Sequence, residues 1–302
     1  MFIKDSSVWI NVDIACVLFS LSRSSYYVWL ANEQKPKINP DAELEQSVRD
    51  IFTASHGRYG VDRVINKLAK TTSKKYSYKK ISKIMQRLNL HAIGAKKYKA
   101  TTNSKHKNPV FENLLARQFN VDKPNLAWVG DITYIHTNEG WLYLATVIDL
   151  FSRKVIGHHT SDRMTTDLVT NASHKALRAR KYPKNVIMHT DRGSQYASKA
   201  NKAFMLKYKV IGSMSRKGDC WDNACAESFF ATIKKEYIRN TTFTTRIKAQ
   251  LGIFDYIEAW YNNERIHSKL AGLSPVEFER LNRPEFKNQV INNQENGVRL
   301  NY

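Results

Sequence analysis

An aspartate inside an apolar strand constrains this chain more than any other feature. In WVGDITYI, residues 128–135, Val129, Asp131, Thr133 and Ile135 share one face at the two-residue strand period, and Ile132 and Tyr134 take the other. A lone acid in such a strand is costly to bury. Two further acids stand in comparable settings. Asp191, in HTDRGSQY, follows the short apolar run VIMH as a loop residue would at the carboxyl end of a buried parallel strand. Gly193 is expected to free the backbone to turn there, and ligand sites of open α/β sheets favour that edge. Glu227, in DNACAESFFATIKKE, falls near the start of a helix whose Ala226, Phe229, Phe230, Ile233 and Tyr237 make a core-facing stripe.

At about 100° per residue, Glu227 projects beside that stripe, and Lys234, two turns on, stands on nearly the same side. Fifty-nine residues separate Asp131 from Asp191, and thirty-five separate Asp191 from Glu227, so only a fold can gather them. Gathered carboxylates repel one another and raise each other's pKa values unless cations neutralise them. Two divalent metals do this, and two-metal sites suit in-line displacement at phosphorus. Taken singly, Asp191 would also serve to cap a turn, and Glu227 to favour a helix N-terminus beside Asp222 and Asn223.

The charge balance points to the partner. The 302 residues include 48 basic and 27 acidic side chains, a net charge of +21, which implies a polyanion such as nucleic acid or an anionic membrane surface. The charge is local: residues 56–107 hold fifteen Lys or Arg against Asp62 alone. Within that stretch, residues 78–90 read as a helix with Ile81, Ile84, Met85 and Leu88 as its apolar stripe and Lys79, Lys80, Lys83 and Arg87 gathered opposite. A solvated face would interleave acids, so these four are assigned to DNA phosphates. Two more helices precede it, one through Leu44, Val48, Ile51 and Phe52 and one from Val61 to Lys70. Residues 12–30 read as helix, Ser-rich turn, helix: a candidate helix-turn-helix or an ordinary helical hairpin. No eighteen-residue apolar run and no signal-peptide pattern occur, which leads to the expectation of a cytoplasmic protein with no membrane partner. Cys16, Cys220 and Cys225 match no zinc or disulfide framework.

Downstream of a basic connection with a helix expected over 111–117, the periodicity changes. Strands are expected at 128–136, 141–149 and 154–159, antiparallel through hairpins. A crossover helix over 165–180, a parallel strand at 186–189, a helix over 198–208 and a fifth strand at 210–213 follow. Asp149 and Arg153 are expected to brace the turn between the second and third strands. His189 is read as structural, because carboxylates rather than imidazole suit magnesium. Arg192 and Arg265 are candidate DNA contacts, and 247–261 reads as one apolar-periodic helix. Ser274, Pro275 and Glu277 begin a last short helix.

These residues carry a resemblance. Asp131 in DITYI, Asp191 in HTDRGSQY and Glu227 in DNACAESFF, with Lys234 seven residues on, resemble the DDE transposases of bacterial insertion sequences. The match is to the second-reading-frame (OrfB) type, whose core is similar to that of retroviral integrases. It extends through YNNERIHSKLAGLSPVEF at 261–278, and HGRYGVDRVINKL with YSYKKISKIMQRLNL is similar to the helical DNA-binding region of that family. The resemblance implies an α/β, ribonuclease-H-like catalytic core behind a helical helix-turn-helix DNA-binding region. Its expected divisions are 1–40, an N-terminal helical segment; 41–95, DNA-binding; 96–123, a basic linker; 124–283, the core; and 284–302, a tail. It further implies Asp131, Asp191 and Glu227 as catalytic and metal-holding residues, with two Mg²⁺ for which Mn²⁺ can substitute. Asp131 would bridge both ions. Double-stranded DNA is the implied partner of a homo-oligomer, with fusion to, or interaction with, an upstream-frame DNA-binding protein. Lys234, which offers donors and no acceptor, is assigned to DNA rather than metal. Two rivals remain at this point: a DNA-binding regulator with a decayed core, against which all three acids being present argues, and a nuclease that hydrolyses without joining.

Overall fold

The periodicities of 128–213 become one mixed sheet. The structure is a computed structural model that describes residues 11–34, 40–72, 74–93, 110–216 and 219–282. Residues 35–39, residues 94–109 with the first half of the basic linker expected over 96–123, and the tail expected from 284 lie outside the described residues. Strands β1 (Ala127–Thr137), β2 (Gly140–Asp149), β3 (Val155–Ser161), β4 (Ile187–Thr190) and β5 (Ile211–Met214) form a sheet in the order β3-β2-β1-β4-β5. β1–β2 and β2–β3 pair antiparallel. β1–β4 and β4–β5 pair parallel. Gly140, at φ +102°, supplies the left-handed backbone that closes the β1–β2 hairpin.

Because successive side chains alternate, the sheet buries two different faces. Trp128, Ala145, Val147 and Met188 pack with helices α6 (Thr166–Ala179) and α7 (Lys199–Tyr208). A Cβ at Gly157 would lie 2.3 Å from the Ala172 carbonyl oxygen, so glycine lets α6 settle directly on β3. Val129, Ile135, Leu142, Leu144 and Ile148 pack on the opposite face with α8 (Ala224–Glu236) and α9 (Arg246–Asp255). The α8 stripe of Ala226, Phe229, Phe230 and Ile233 is buried against it, each large side chain contributing about 1.5–3 kcal/mol. Asp131 shares the face of Val129 and Ile135, and therefore looks toward α8.

The helical region follows its apolar stripes. Helices α3 (Ala42–Ala54), α4 (Val61–Thr72) and α5 (Tyr78–Arg87) enclose Leu44, Val48, Val64, Leu68, Ile81, Ile84 and Met85. That core also takes in Ile266, so the helical region and the segment after the sheet region share one apolar cluster. Helices α1 (Val12–Leu18) and α2 (Arg23–Gln34) pack on each other around Ala15, Cys16 and Tyr26. The last helix, α10 (Pro275–Leu281), begins with a capping box between Ser274 and Glu277 and a proline in its first turn. Among the described residues no single helix is long and apolar enough to cross a membrane.

Three expectations are corrected. Residues 111–117 are not helical: Ala116 and Arg117 take positive φ, and the Ser213 hydroxyl accepts from the Leu114 amide at 2.9 Å, drawing the backbone onto β5. The helix expected over 247–261 is α-helical only to Asp255 and continues as a π-helical turn, Tyr256–Tyr261. Asp149 does brace its turn, accepting from the Phe151 amide at 3.1 Å, but its ionic partner is Arg180, also at 3.1 Å. The Arg153 side chain instead reaches Cys225 Sγ at 2.7 Å and the Phe119 carbonyl at 2.9 Å.

Candidate active site

Strand register brings the first two acids together. Gly130 of β1 pairs with Thr190 of β4, the last registered pair of that parallel ladder. Asp131 and Asp191 are the next residues on each strand, and so emerge side by side where β4 ends. The Asp131 carboxylate accepts from the Ile132 amide at 2.8 Å, and that of Asp191 from the Gly193 amide at 3.0 Å. Gly193 is not needed for a left-handed backbone. A Cβ there would lie 3.0 Å from Asp191 Oδ1, so glycine serves close approach to that carboxylate.

Helix α8 supplies the third acid from the layer above. Glu227 lies in its first turn, half-buried, one residue after Ala226 of the core stripe. The three carboxylates sense one another. Burial, then the Asp191 charge and, more weakly, that of Glu227 push the Asp131 carboxyl well above the usual range. Burial and then Asp191 raise Glu227 as well. Burial also raises the phenol of Tyr196, which lies against the two aspartates, and their charges add to that. Among the described residues no three or more His, Cys, Asp or Glu side chains form a set ready to hold a metal ion. The donors are nonetheless of one kind: carboxylate oxygens that repel one another, the chemistry of a hard divalent cation.

Lys234 is largely buried, with its ammonium 5.2 Å from the Tyr134 ring centroid. Burial and then Arg239 lower its pKa, whereas Asp131 raises it, so the amine lies within electrostatic reach of that acid. His189 is fully buried between Ser213 Oγ, at 2.8 Å, and Ser215 Oγ, at 3.2 Å, and burial lowers its pKa to about 4. It braces β4 against β5 as a neutral ring. Arg192 donates from Nε to the Ser215 carbonyl at 2.6 Å.

Asp222, five residues before Glu227, stood out in the sequence only as a cap. It is fully buried, and accepts from Arg117 Nε at 2.8 Å, Asn113 Nδ2 at 2.9 Å and the Arg216 amide at 2.9 Å. The Arg216 guanidinium adds two bonds at 3.0 Å. Hydrogen bonding from Arg216 first, and from Arg117, holds this carboxyl far below the usual range. Next to it, Asn223 donates to the Gly130 carbonyl at 3.4 Å. The start of α8 is thus tied both to the segment before β1 and to the residue preceding Asp131. Arg216 six residues before Asp222 was the one available signal in the sequence.

The candidate DNA contacts separate. Lys79 and Lys83 are exposed on α5, whereas Lys80 pairs with Asp41 at 2.8 Å and Arg87 pairs with Glu45, both from α3 and its cap. The acids that a solvated face would interleave come from the neighbouring helix. Arg265 is a correction. It is 5% exposed and gives its guanidinium to Glu236 of α8, at 2.8 Å from Nη2 and 3.0 Å from Nε, so it is an internal ion-pair partner rather than an exposed cation. Asn262, in the same segment, bonds both the amide and the carbonyl of Val155, closing the edge of β3.

Comparison with known proteins agrees with this architecture. The integrase core domain family matches residues 121–220 and again 227–282, and an HTH-like domain family matches 39–98. Transposase InsF for insertion sequence IS3A, from Escherichia coli strain K12, is 40% identical over 286 residues, covering 93% of this chain and 98% of that one. An uncharacterized 31 kDa protein of insertion element IS600 from Shigella sonnei is 36% identical over 263 residues, covering 87% and 96%. Among solved structures, the HTLV-2 integrase catalytic core domain in complex with magnesium aligns with a TM-score of 0.40 at 18% identity, covering 51% of this chain and 96% of that one. A simian T-cell lymphotropic virus intasome aligns with a TM-score of 0.45 at 14% identity, covering 76% and 73%. With an integrase core, an HTH-like domain and near-complete coverage of InsF, this chain belongs to the transposases of bacterial insertion sequences.

Proposed function

We infer that the chain cuts DNA strands at the ends of an insertion element and joins them to target DNA, with Asp131, Asp191 and Glu227 as its catalytic acids. The observation that supports this best is the pair Asp131 and Asp191, set side by side by the Gly130–Thr190 register on the sheet face covered by the Glu227 helix. The three carboxylates would hold two Mg²⁺, or Mn²⁺ in its place. The chemistry two such ions would supply is activation of the attacking hydroxyl and stabilisation of the leaving 3′ oxygen. The chain's own contributions are separate. Asp131 is fixed by its strand and the Ile132 amide, Asp191 by Gly193, and Glu227 by the clamp at Asp222. Glu227 would complete the set from the first turn of α8. Lys234 places the scissile strand from beside Asp131, while Lys79 and Lys83, with Arg192 near the site, hold phosphates. DNA is double-stranded at both ends and target, the protein acts as a homo-oligomer in the cytoplasm, and an upstream-frame DNA-binding protein joins it by fusion or contact.

Labelled duplex from the end of the element that encodes the chain, with Mg²⁺, tests this. Cleaved and joined products are expected from the unaltered protein, and neither from Asp131→Asn, Asp191→Asn or Glu227→Gln, all three still binding DNA. An amide keeps the shape and loses the charge that holds a cation. Cleavage without joining would make the protein a nuclease, and cleavage by any one amide variant would remove that residue from the set.

A further inference from the structure

A cavity of about 330 Å³ lies on the other flank of α8, where the helical region meets the core. Arg63 of α4 enters it from the helical region, and Arg153, Arg265 and Lys269 line it from the core. No Asp or Glu lines it. One nearby carboxylate, Glu236, takes both Arg265 at 2.8 Å and Arg63 at 3.2 Å. The described partners of the Arg153 guanidinium are neutral, the Cys225 sulfur and the Phe119 carbonyl. Lys269 is exposed at the mouth. Four cations therefore face one cavity against a single neighbouring carboxylate, a surplus of charge that asks for an anion. His267 registers the same field: burial first, then Arg265 and Arg63, lower its pKa to about 3.

The neutral groups narrow the anion. Ser228 and Thr232, one helical turn apart on α8, add hydroxyl donors, and the rings of Phe229 and Tyr261 give an apolar wall. Guanidinium forks, an ammonium, hydroxyls and an apolar wall together suit a phosphate ester carrying a sugar. At the helical period Cys225, Ser228 and Thr232 share one side of α8, and Glu227 and Lys234 face well away from it. The phosphate held here is not the one that reacts.

We propose that this seam cavity is a second phosphate site, taking one backbone phosphate of element-end DNA remote from the scissile bond. By engaging Arg63 and Lys269 at once, that phosphate would set the helical region and the core in a single register on DNA. The proposal rests on the reading of the chain as a DNA transposase.

A neutral-phosphate scan tests it. In the full-length chain, methylphosphonate is placed at each backbone position of the element-end duplex in turn. One position outside the cleavage point should weaken binding by the unaltered protein, and weaken it measurably less in Lys269→Gln or Arg153→Gln. Lys269→Gln should also make the slope of log affinity against log salt shallower by about 0.9, as expected for one lost phosphate contact. Because Lys269 is exposed, this variant should fold normally, which circular dichroism checks; Arg153 also ties its segment to the Phe119 carbonyl, so Lys269 is the deciding site. Cys225 lines the cavity, and DNA should protect its thiol from alkylation in the unaltered protein. A scan identical for the unaltered protein and Lys269→Gln overturns the proposal. So does protection of Cys225 by inorganic phosphate but not by DNA, which would make this a free-phosphate site. Neither result touches the catalytic reading, which falls instead if Asp131→Asn still cuts.

Discussion

Asp131 is held in a place that its own chemistry opposes. Burial and two neighbouring carboxylates all disfavour its charged form, and the Ile132 amide and Lys234 only partly offset them. A buried carboxylate cluster of this kind costs stability, which an amide substitution recovers. In the absence of divalent cations, Asp131→Asn should therefore raise the melting temperature at neutral pH, corresponding to about 0.5–2 kcal/mol. Saturating Mg²⁺ should close the gap, because it stabilises only the unaltered cluster. Equal melting curves in chelator would show that the three acids do not strain the fold. Arg265 teaches the converse. In sequence it sits in a polar, basic run that invites a DNA contact, yet its guanidinium belongs to Glu236, 29 residues earlier in the chain. A cation's sign is legible in sequence, but which acid already holds it is not.

Among the elements, α5 and the start of α8 carry the clearest consequences. On α5 the four cations divide, with Lys80 and Arg87 tying the helix to α3 and Lys79 and Lys83 left exposed. Changing Lys79 and Lys83 to alanine should make the salt slope of DNA binding shallower by up to about two units with folding unchanged. Changing Lys80 and Arg87 should alter the slope less and lower the melting temperature of the helical region slightly, as exposed ion pairs do. If the two pairs behaved alike in salt titrations, the division would be wrong. At the head of α8, Asp222→Ala should release Arg117, Asn113 and the Arg216 loop together, letting Glu227 drift. Cleavage is expected to fall by up to about a hundredfold, the scale of a small misplacement at a reacting centre, with DNA affinity kept within a few-fold. A variant that cut normally would show that the other packing of α8 suffices to place Glu227.

For the molecule as a whole, the helical region is joined to the core by a charged seam as well as a shared apolar cluster. Glu236 accepts from Arg63 of α4, Arg265 and the Tyr256 hydroxyl, the last at 2.8 Å. Burial alone would raise its pKa, but Arg265 and Arg63 outweigh burial and leave it below its ordinary 4.5. A depressed carboxyl stabilises the fold at pH values above the unfolded pKa, and that contribution is lost as pH falls through the folded one. Unaltered protein should thus lose stability on acidification from about pH 4.5 downward more steeply than Glu236→Gln, whose seam is already weakened at pH 7. Parallel curves from thermal melts across that range would mean that the seam takes no part in acid unfolding.

Local pattern was enough to read most of the elements. Strand alternation around Asp131, the 3.6-residue stripes of α3, α5 and α8, and the cap at Ser274 depend on neighbours a few residues away, so the sequence shows them directly. The same patterns implied the mixed sheet, and the spacing of Asp131, Asp191 and Glu227 with their flanking strings pointed to the three acids proposed as catalytic. The backbone of 111–117 and the pairings of Asp149, Asp222, Glu236 and Arg265 were decided only in three dimensions. Each of those groups finds its partners on a different element, as when Asp222 meets Arg117 from 105 residues away. A buried charge takes whichever opposite charge the packing delivers, and packing is a property of the whole chain.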